Sequence, residues 1–226
     1  MNIPALHAWP RTAAGGVRLQ LRLAHRIVLQ PVSGASRLLA GADAAFRDDG
    51  RSAIGGVVVW DGLTESVVEE RAARVPCRFP YIPGLLTFRE LPALLAAMRK
   101  LHTVPQVVFA DAHGIAHPRR MGLACYLGLW LNLPTVGCAK SLLCGDFVDP
   151  APRRGSARPL ILRGEQVGVV LRTQNGVKPV FVSPGHLCDF ESAARLTLVA
   201  SKRYRLPEPI RLAHQLVTRR KTLTPK

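Results

Sequence analysis

The sequence predicts a single mixed α/β domain, and three observations carry that expectation. Three strand-length apolar stretches, at 37–46, 53–60 and 64–75, follow one another with only short turn signals between them, the pattern of an antiparallel meander. From residue 88 onward, stretches of helical period alternate with apolar runs of strand length, the pattern of parallel crossover units. No internal repeat and no long linker divides the 226 residues, which are enough to bury a sizeable core.

Taken in order, residues 1–36 read as a basic leader, about 1–20, running into a first helix that ends near "PVSGAS". "RLLAGADAAF", 37–46, is an apolar strand carrying one acid, Asp43. "DDGRS" turns the chain into a buried strand, "AIGGVVVW" at 53–60. In "TESVVEERAARV", 64–75, apolar and charged residues alternate only in part; strand and helix both fit, and the short connections favour a third strand. "FRELPALLAAMRK", 88–100, places Leu91, Leu94, Leu95 and Met98 on one helical face. A strand at 104–111, a helix at 119–132 ("RRMGLACYLGLWLN") and a strand at 133–140 complete a crossover. "DPAPRRGSARP", 149–159, reads as a loop. Two further strands, 166–172 and 178–183, flank "TQNGV", where Asn175–Gly176 signals a type I′ hairpin. Helices at 189–203, with Asp189 as N-cap, and at 208–220, with Pro209 in its first turn, precede a short basic tail at about 221–226.

Composition narrows the partners. Lys and Arg number 31 against 15 Asp and Glu, a net charge of +16 that attracts polyanions such as nucleic acid. Charges and prolines interrupt every apolar run before it reaches membrane-span length, and "MNIPALHAWPRTAAGG" lacks the order of a signal peptide. A cytoplasmic protein without a membrane partner is the expectation. The five cysteines form no C-x-x-C pair, which argues against a zinc ribbon or a disulfide framework.

Acids at strand ends suggest the chemistry. In an interior strand a carboxylate needs a partner or a metal, because a buried unpaired charge is expensive. Asp43 follows "LLAGA" and Asp111 follows "VVFA"; adjacent strands would bring them within reach of one hard cation such as Mg²⁺. The bland alternative is a pair of acids that cap turns or pair with arginines, less apt in so basic a chain. Glu90 fits two roles: "TFRE" is a capping-box pattern with Thr87 as N-cap, yet Pro92 sits awkwardly beyond the first turn, and spacing alone does not decide. His214 falls on the apolar face of the last helix, where a packed core histidine is the commoner outcome. Lys140 ends a strand and can approach a phosphate or snorkel to solvent. His117 and Arg119 stand at the expected start of a helix, where amides favour an anion. Metal-dependent phosphodiester chemistry on nucleic acid fits these features best.

Five blocks, "AGADAAF" around Asp43, "PYIPGLLTFRE" (80–90), "FADAHGIAHPRRMGLA" (109–124), "TVGCAK" (135–140) and "YRLPEPIRLAH" (204–214), resemble the endonuclease V family over roughly residues 20–220. The resemblance implies an RNase H-like fold with a mixed five-stranded central sheet flanked by helices. It implies that Asp43, Glu90 and Asp111 hold Mg²⁺, for which Mn²⁺ substitutes. His214 would then help to orient the metal-bound water, and Lys140 would lie close to the scissile phosphate. DNA contacts fall to Pro80, Tyr81, Ile82, Pro83, His117, Arg119 and Lys140. The base pocket falls to Gly84, Leu85, Gly114 and Gly122. Two prolines stiffening a turn around an aromatic ring also make physical sense of a wedge that fills the place of an extruded base.

The implied activity is hydrolysis of the second phosphodiester bond 3′ to deoxyinosine in DNA, leaving 3′-hydroxyl and 5′-phosphate ends, by a protein expected to be a monomer. Rival readings are an endoribonuclease specific for inosine-containing RNA and a non-catalytic nucleic-acid-binding protein on the same fold. Two positions depart from the family pattern. Ala112 stands where glycine is common, which would narrow the base pocket, and Ser141 stands where a basic residue is common, which would weaken backbone contact.

Overall fold

The computed structural model describes residues 1–34 and 36–222. Eight strands form one mixed sheet in the order β3-β2-β1-β4-β5-β8-β7-β6. The meander comes first: β1 (Leu38–Arg47), β2 (Ser52–Asp61) and β3 (Ser66–Pro76), paired antiparallel. The partial alternation of 64–75 therefore resolves as an edge strand. β4 (Val107–Ala110) and β5 (Thr135–Ala139) lie parallel to β1 and to each other, as the crossover pattern requires.

The expectation of five strands is corrected by the other three. β6 (Ala157–Leu162), β7 (Glu165–Leu171) and β8 (Val180–Pro184) extend the sheet antiparallel from β5. β6 begins inside the stretch read as a loop, because Pro159 lowers its strand signal; on the outermost strand that proline costs no ladder bond. The type I′ turn is also elsewhere. Arg163 (φ 55°) and Gly164 (φ 80°) make it between β6 and β7, whereas at Asn175–Gly176 only the glycine has positive φ. Asn175 instead accepts the amide of Arg154 at 2.7 Å, and β7 and β8 are joined by a longer loop.

Helices cover both faces. Buried side chains of α1 (Ala13–Ala24), α2 (Thr87–Met98) and α3 (Leu123–Leu131) share one core with Ala40, Ala42, Val108 and Ala110. Those of α4 (Phe190–Ala200) and the start of α5 (Glu208–Thr222) share the other with Leu39, Val107 and Phe109. The alternation within β1 and β4 thus splits between two cores, as an interior strand demands. The segment read as a leader packs against the domain: Ile3 and Leu19 are buried, and the Met1 ammonium donates to the Leu101 carbonyl at 2.6 Å. Asp189 caps α4 as expected, accepting the Ser192 amide at 2.8 Å. Of the expected basic tail, 223–226 lie outside the described residues.

Two helix starts differ from expectation. α3 begins at Leu123 rather than 119, because Gly122 is extended and the amides of Gly122 and Ala124 donate to Gly114 and His113. His117 and Arg119 therefore occupy a tight turn before the helix, closed by Arg120 N–H to the His117 carbonyl at 2.8 Å. At α2 no capping box forms. Leu86 holds the N-cap position with no side-chain cap, and the amides of Phe88, Arg89 and Glu90 already donate to Leu85 and Leu86 carbonyls. Glu90 is left free of that duty.

Candidate active site

Register brings the two aspartates together. Ala42 of β1 lies opposite Ala110 of β4, and the Asp111 amide donates to the Ala42 carbonyl at 3.1 Å, so Asp43 and Asp111 emerge side by side where the parallel pair ends. α5 supplies the third group. It can approach because β1 carries Gly41, where a Cβ would fall 1.9 Å from the Pro209 carbonyl oxygen. The close crossing sets His214 over Asp43, with Nδ1 2.8 Å from Oδ2. One ligand atom each from Asp43, Asp111 and His214 lie within 4.8 Å of one another.

Two further groups face this trio. Lys140, just past β5, donates to Asp111 Oδ2 at 2.6 Å. Glu90 approaches from the first turns of α2; it is only partly covered in surface area, yet its carboxyl sits deep among protein atoms. Burial first, then the charges of Asp43 and Asp111, push it up to about 8. Burial and the Asp111 charge also raise Asp43, against the hydrogen bonds from His214 and the Ala44 amide. The clustered negative charge thus raises both Asp43 and Glu90, as in sites that bring like charges together. Two carboxylates and an imidazole, with a third carboxylate adjacent, are a hard donor set suited to a divalent cation.

Beside the acids opens a cavity of about 390 Å³, lined by Tyr81, Pro83, Gly84, Glu90, Asp111, His117, Gly122 and Lys140, among others. Tyr81 stands at its rim, 68% exposed, with Pro80 and Pro83 exposed beside it and Ile82 half-buried. Of the four residues assigned to a base pocket, Gly84 and Gly122 line this cavity. Leu85 is buried in the core, and Gly114 is packed so closely on β8 that a Cβ would meet the Pro184 oxygen at 2.0 Å.

His117 and Arg119 brace the cavity wall. Gly84 adopts φ +76°, and its carbonyl takes the Arg119 guanidinium at 2.8 Å, Gln20 Nε2 at 3.0 Å and His117 Nε2 at 3.1 Å. His117 Nδ1 accepts the Arg119 amide at 3.1 Å, and burial lowers the ring to about 4, so it is neutral with Nε2 protonated. The clamp ties the segment after Tyr81 to α1 and to the turn before α3.

Three residues here carried no role in the sequence reading. Gln20 is fully buried among Gly16, Leu19 and Leu23; a polar residue at that helical spacing was a legible signal of a buried polar contact. His113, inside the quoted "DAHG" block, lines the cavity beside Leu143; its Nδ1 is buried without a partner, and burial lowers the ring to about 4. Leu143, in a loop without pattern, gave no signal at all.

Known proteins resemble this chain in both sequence and fold. The family model described as Endonuclease V matches residues 21–215. Endonuclease V of Azotobacter vinelandii is 47% identical over 212 residues, covering 94% of this chain and 96% of its own. The crystal structure of Endonuclease V from Streptomyces avermitilis superposes with a TM-score of 0.90 at 42% identity, covering 96% of both chains. A variant of Ciona intestinalis Endonuclease V, 25% identical with a TM-score of 0.77 over 92% of this chain and 96% of that one, was crystallised with a 23mer DNA containing an inosine followed by a ribo-adenosine.

Proposed function

The chain belongs to the endonuclease V family, and on that premise we propose that it is a metal-dependent endonuclease that cuts DNA at deaminated bases, deoxyinosine above all. The observation that carries this reading is the juxtaposition of the Asp43–Asp111–His214 trio with a cavity fronted by an exposed tyrosine in a proline-stiffened turn.

Asp43 and Asp111 would hold Mg²⁺ or Mn²⁺, with Glu90 completing the carboxylate set. The cation, when bound, supplies Lewis-acid polarisation of the phosphate and an activated water. The chain's own groups do the rest. His214, with Nδ1 turned to Asp43, leaves Nε2 to orient the attacking water. Lys140 lies at the cavity's edge beside Asp111, placed to offset charge on the scissile phosphate. Tyr81, wedged into the duplex, fills the place of the extruded base, which enters the cavity behind it. The clamped Gly84 carbonyl keeps that cavity from yielding. The bond cut is the second 3′ to the lesion, leaving 3′-hydroxyl and 5′-phosphate ends. Inosine-containing RNA is the second substrate class, favoured by the ribo-adenosine in the strand bound by the Ciona relative.

The test is single-turnover nicking of matched DNA duplexes with and without one deoxyinosine, in Mg²⁺ and in EDTA, with inosine RNA in parallel. Wild type should cut the inosine duplex only with metal. Asp43→Ala and Asp111→Ala should bind it but not nick it. Near-normal cleavage by either variant would overturn the reading.

A further inference from the structure

Behind the ridge formed by Cys77–Gly84 and the first turns of α2 lies a second hollow, a groove of about 770 Å³. The two hollows share that ridge as a wall. Tyr81, Thr87 and Glu90 face the cavity of the acids, while Phe79, Phe88 and Pro92 face the groove. Phe79 and Phe88 form an apolar floor, their rings 5.2 Å apart. Trp9 stands at the margin, 40% exposed, stacked on Trp130 at 5.6 Å and 10° with His7 edge-on at 5.3 Å. A ring held in this way can offer its open face to a planar ligand with little further ordering. Arg11 and Arg78 are exposed in the same lining, no carboxylate among the described residues pairs with them, and no acid lines the groove.

We propose that this groove binds the strand opposite the lesion, as a short unpaired stretch with one base stacked on Trp9 and phosphates against Arg11 and Arg78. The inference rests on the reading that Tyr81 wedges into a duplex whose damaged base enters the cavity. Extruding a base leaves its former partner unpaired, and that nucleotide must lie across the wedge from the cavity. The groove is what the fold places there. Unpaired cations without a single anion suit a polyanion, and an exposed aromatic ring suits the face of any base, so recognition here is indifferent to sequence.

The experiment compares one deoxyinosine-bearing strand, alone and annealed to its complement, in single-turnover nicking across an enzyme titration. The proteins are wild type, the double variant Arg11→Gln/Arg78→Gln, Trp9→Ala and Trp9→Phe. On the duplex, the double variant and Trp9→Ala should need about tenfold more enzyme for half-maximal rate, with the maximal rate unchanged. On the single strand they should match wild type, and Trp9→Phe should match it on both. Equal loss on both substrates would overturn the proposal, as would no loss on the duplex. Failure of the underlying reading looks different: wild type itself would then show no preference for inosine over unmodified duplex.

Discussion

Glu90 carries a conflict that can be measured. Its carboxyl is raised from 4.5 to about 8, chiefly by burial and then by Asp43 and Asp111, so the folded chain without metal favours its protonated form. Such a group contributes stability that is fully present below the unfolded pKa and is lost as pH rises through the folded one, here from about 4.5 to about 8. At 1.4 kcal/mol per unit, the loss is on the order of a few kcal/mol. Glu90→Gln abolishes that charge. In EDTA its melting temperature should exceed that of wild type by little near pH 5 and by much more near about pH 9. In Mg²⁺ the same variant should not nick. A gap that stays constant with pH would show that Glu90 is not charged under strain, and retained kcat would show that it is not needed for chemistry. Spacing alone left this residue undecided between cap and ligand, and the family resemblance chose the ligand; "TFRE" spells a cap, and only the backbone reveals that Leu85 and Leu86 carbonyls already receive the amides of Phe88, Arg89 and Glu90. Asp43 and Asp111 were legible only as a pair: two acids in or at the end of apolar strands of a strongly basic chain call for a shared partner, whereas either alone fits a turn cap as well.

At the scale of elements, the decisive event is the crossing of α5 over β1. His214 reaches Asp43 across 171 residues only because nothing but a hydrogen projects from Gly41 toward Pro209. Gly41→Ala would put a methyl 1.9 Å from the Pro209 oxygen, so α5 must lift, with a cost of about 1–3 kcal/mol as in other overpacked cores. The expected result is a lowered melting temperature together with a lower kcat at temperatures where the variant is fully folded, since His214 is drawn away from Asp43. Reduced stability with unchanged kcat would mean that the crossing serves packing alone. The strand and helix types were readable from periodicity, yet no period announces which helix lies on which strand. The glycine in "AGAD" hinted at a close approach without naming its partner. The Gly84 clamp was hidden for the same reason, since Gln20 is 64 residues from the carbonyl it holds. Turn chemistry misled in a local way: Asn175–Gly176 has the favoured sequence, but Asn175 is engaged by Arg154, and Arg163–Gly164 takes the mirror-image turn.

For the whole molecule, the net charge of +16 and the small cavity make separable contributions to binding. The first is a field acting on every phosphate within reach, released by salt and blind to the base. The second, on the proposed reading, would admit one extruded base behind the Tyr81 wedge, out of reach of bulk ions, so salt should hardly touch it. Equilibrium binding of the inosine duplex and its unmodified twin, measured with catalytically inactive Asp111→Ala over a range of salt, should therefore give two parallel lines of log affinity against log salt. Both should fall steeply, by a slope of about −0.9 for each phosphate contacted. The gap between them should stay constant and represent the base term alone. Lines that converge as salt rises would mean that the preference for inosine is itself electrostatic, carried by extra phosphate contacts in a distorted duplex rather than by the cavity. The composition announced the first term before any element was assigned. The second needed the fold, because Tyr81, Gly84, Glu90 and Asp111 come from two distant blocks that only the sheet and α2 bring to one rim.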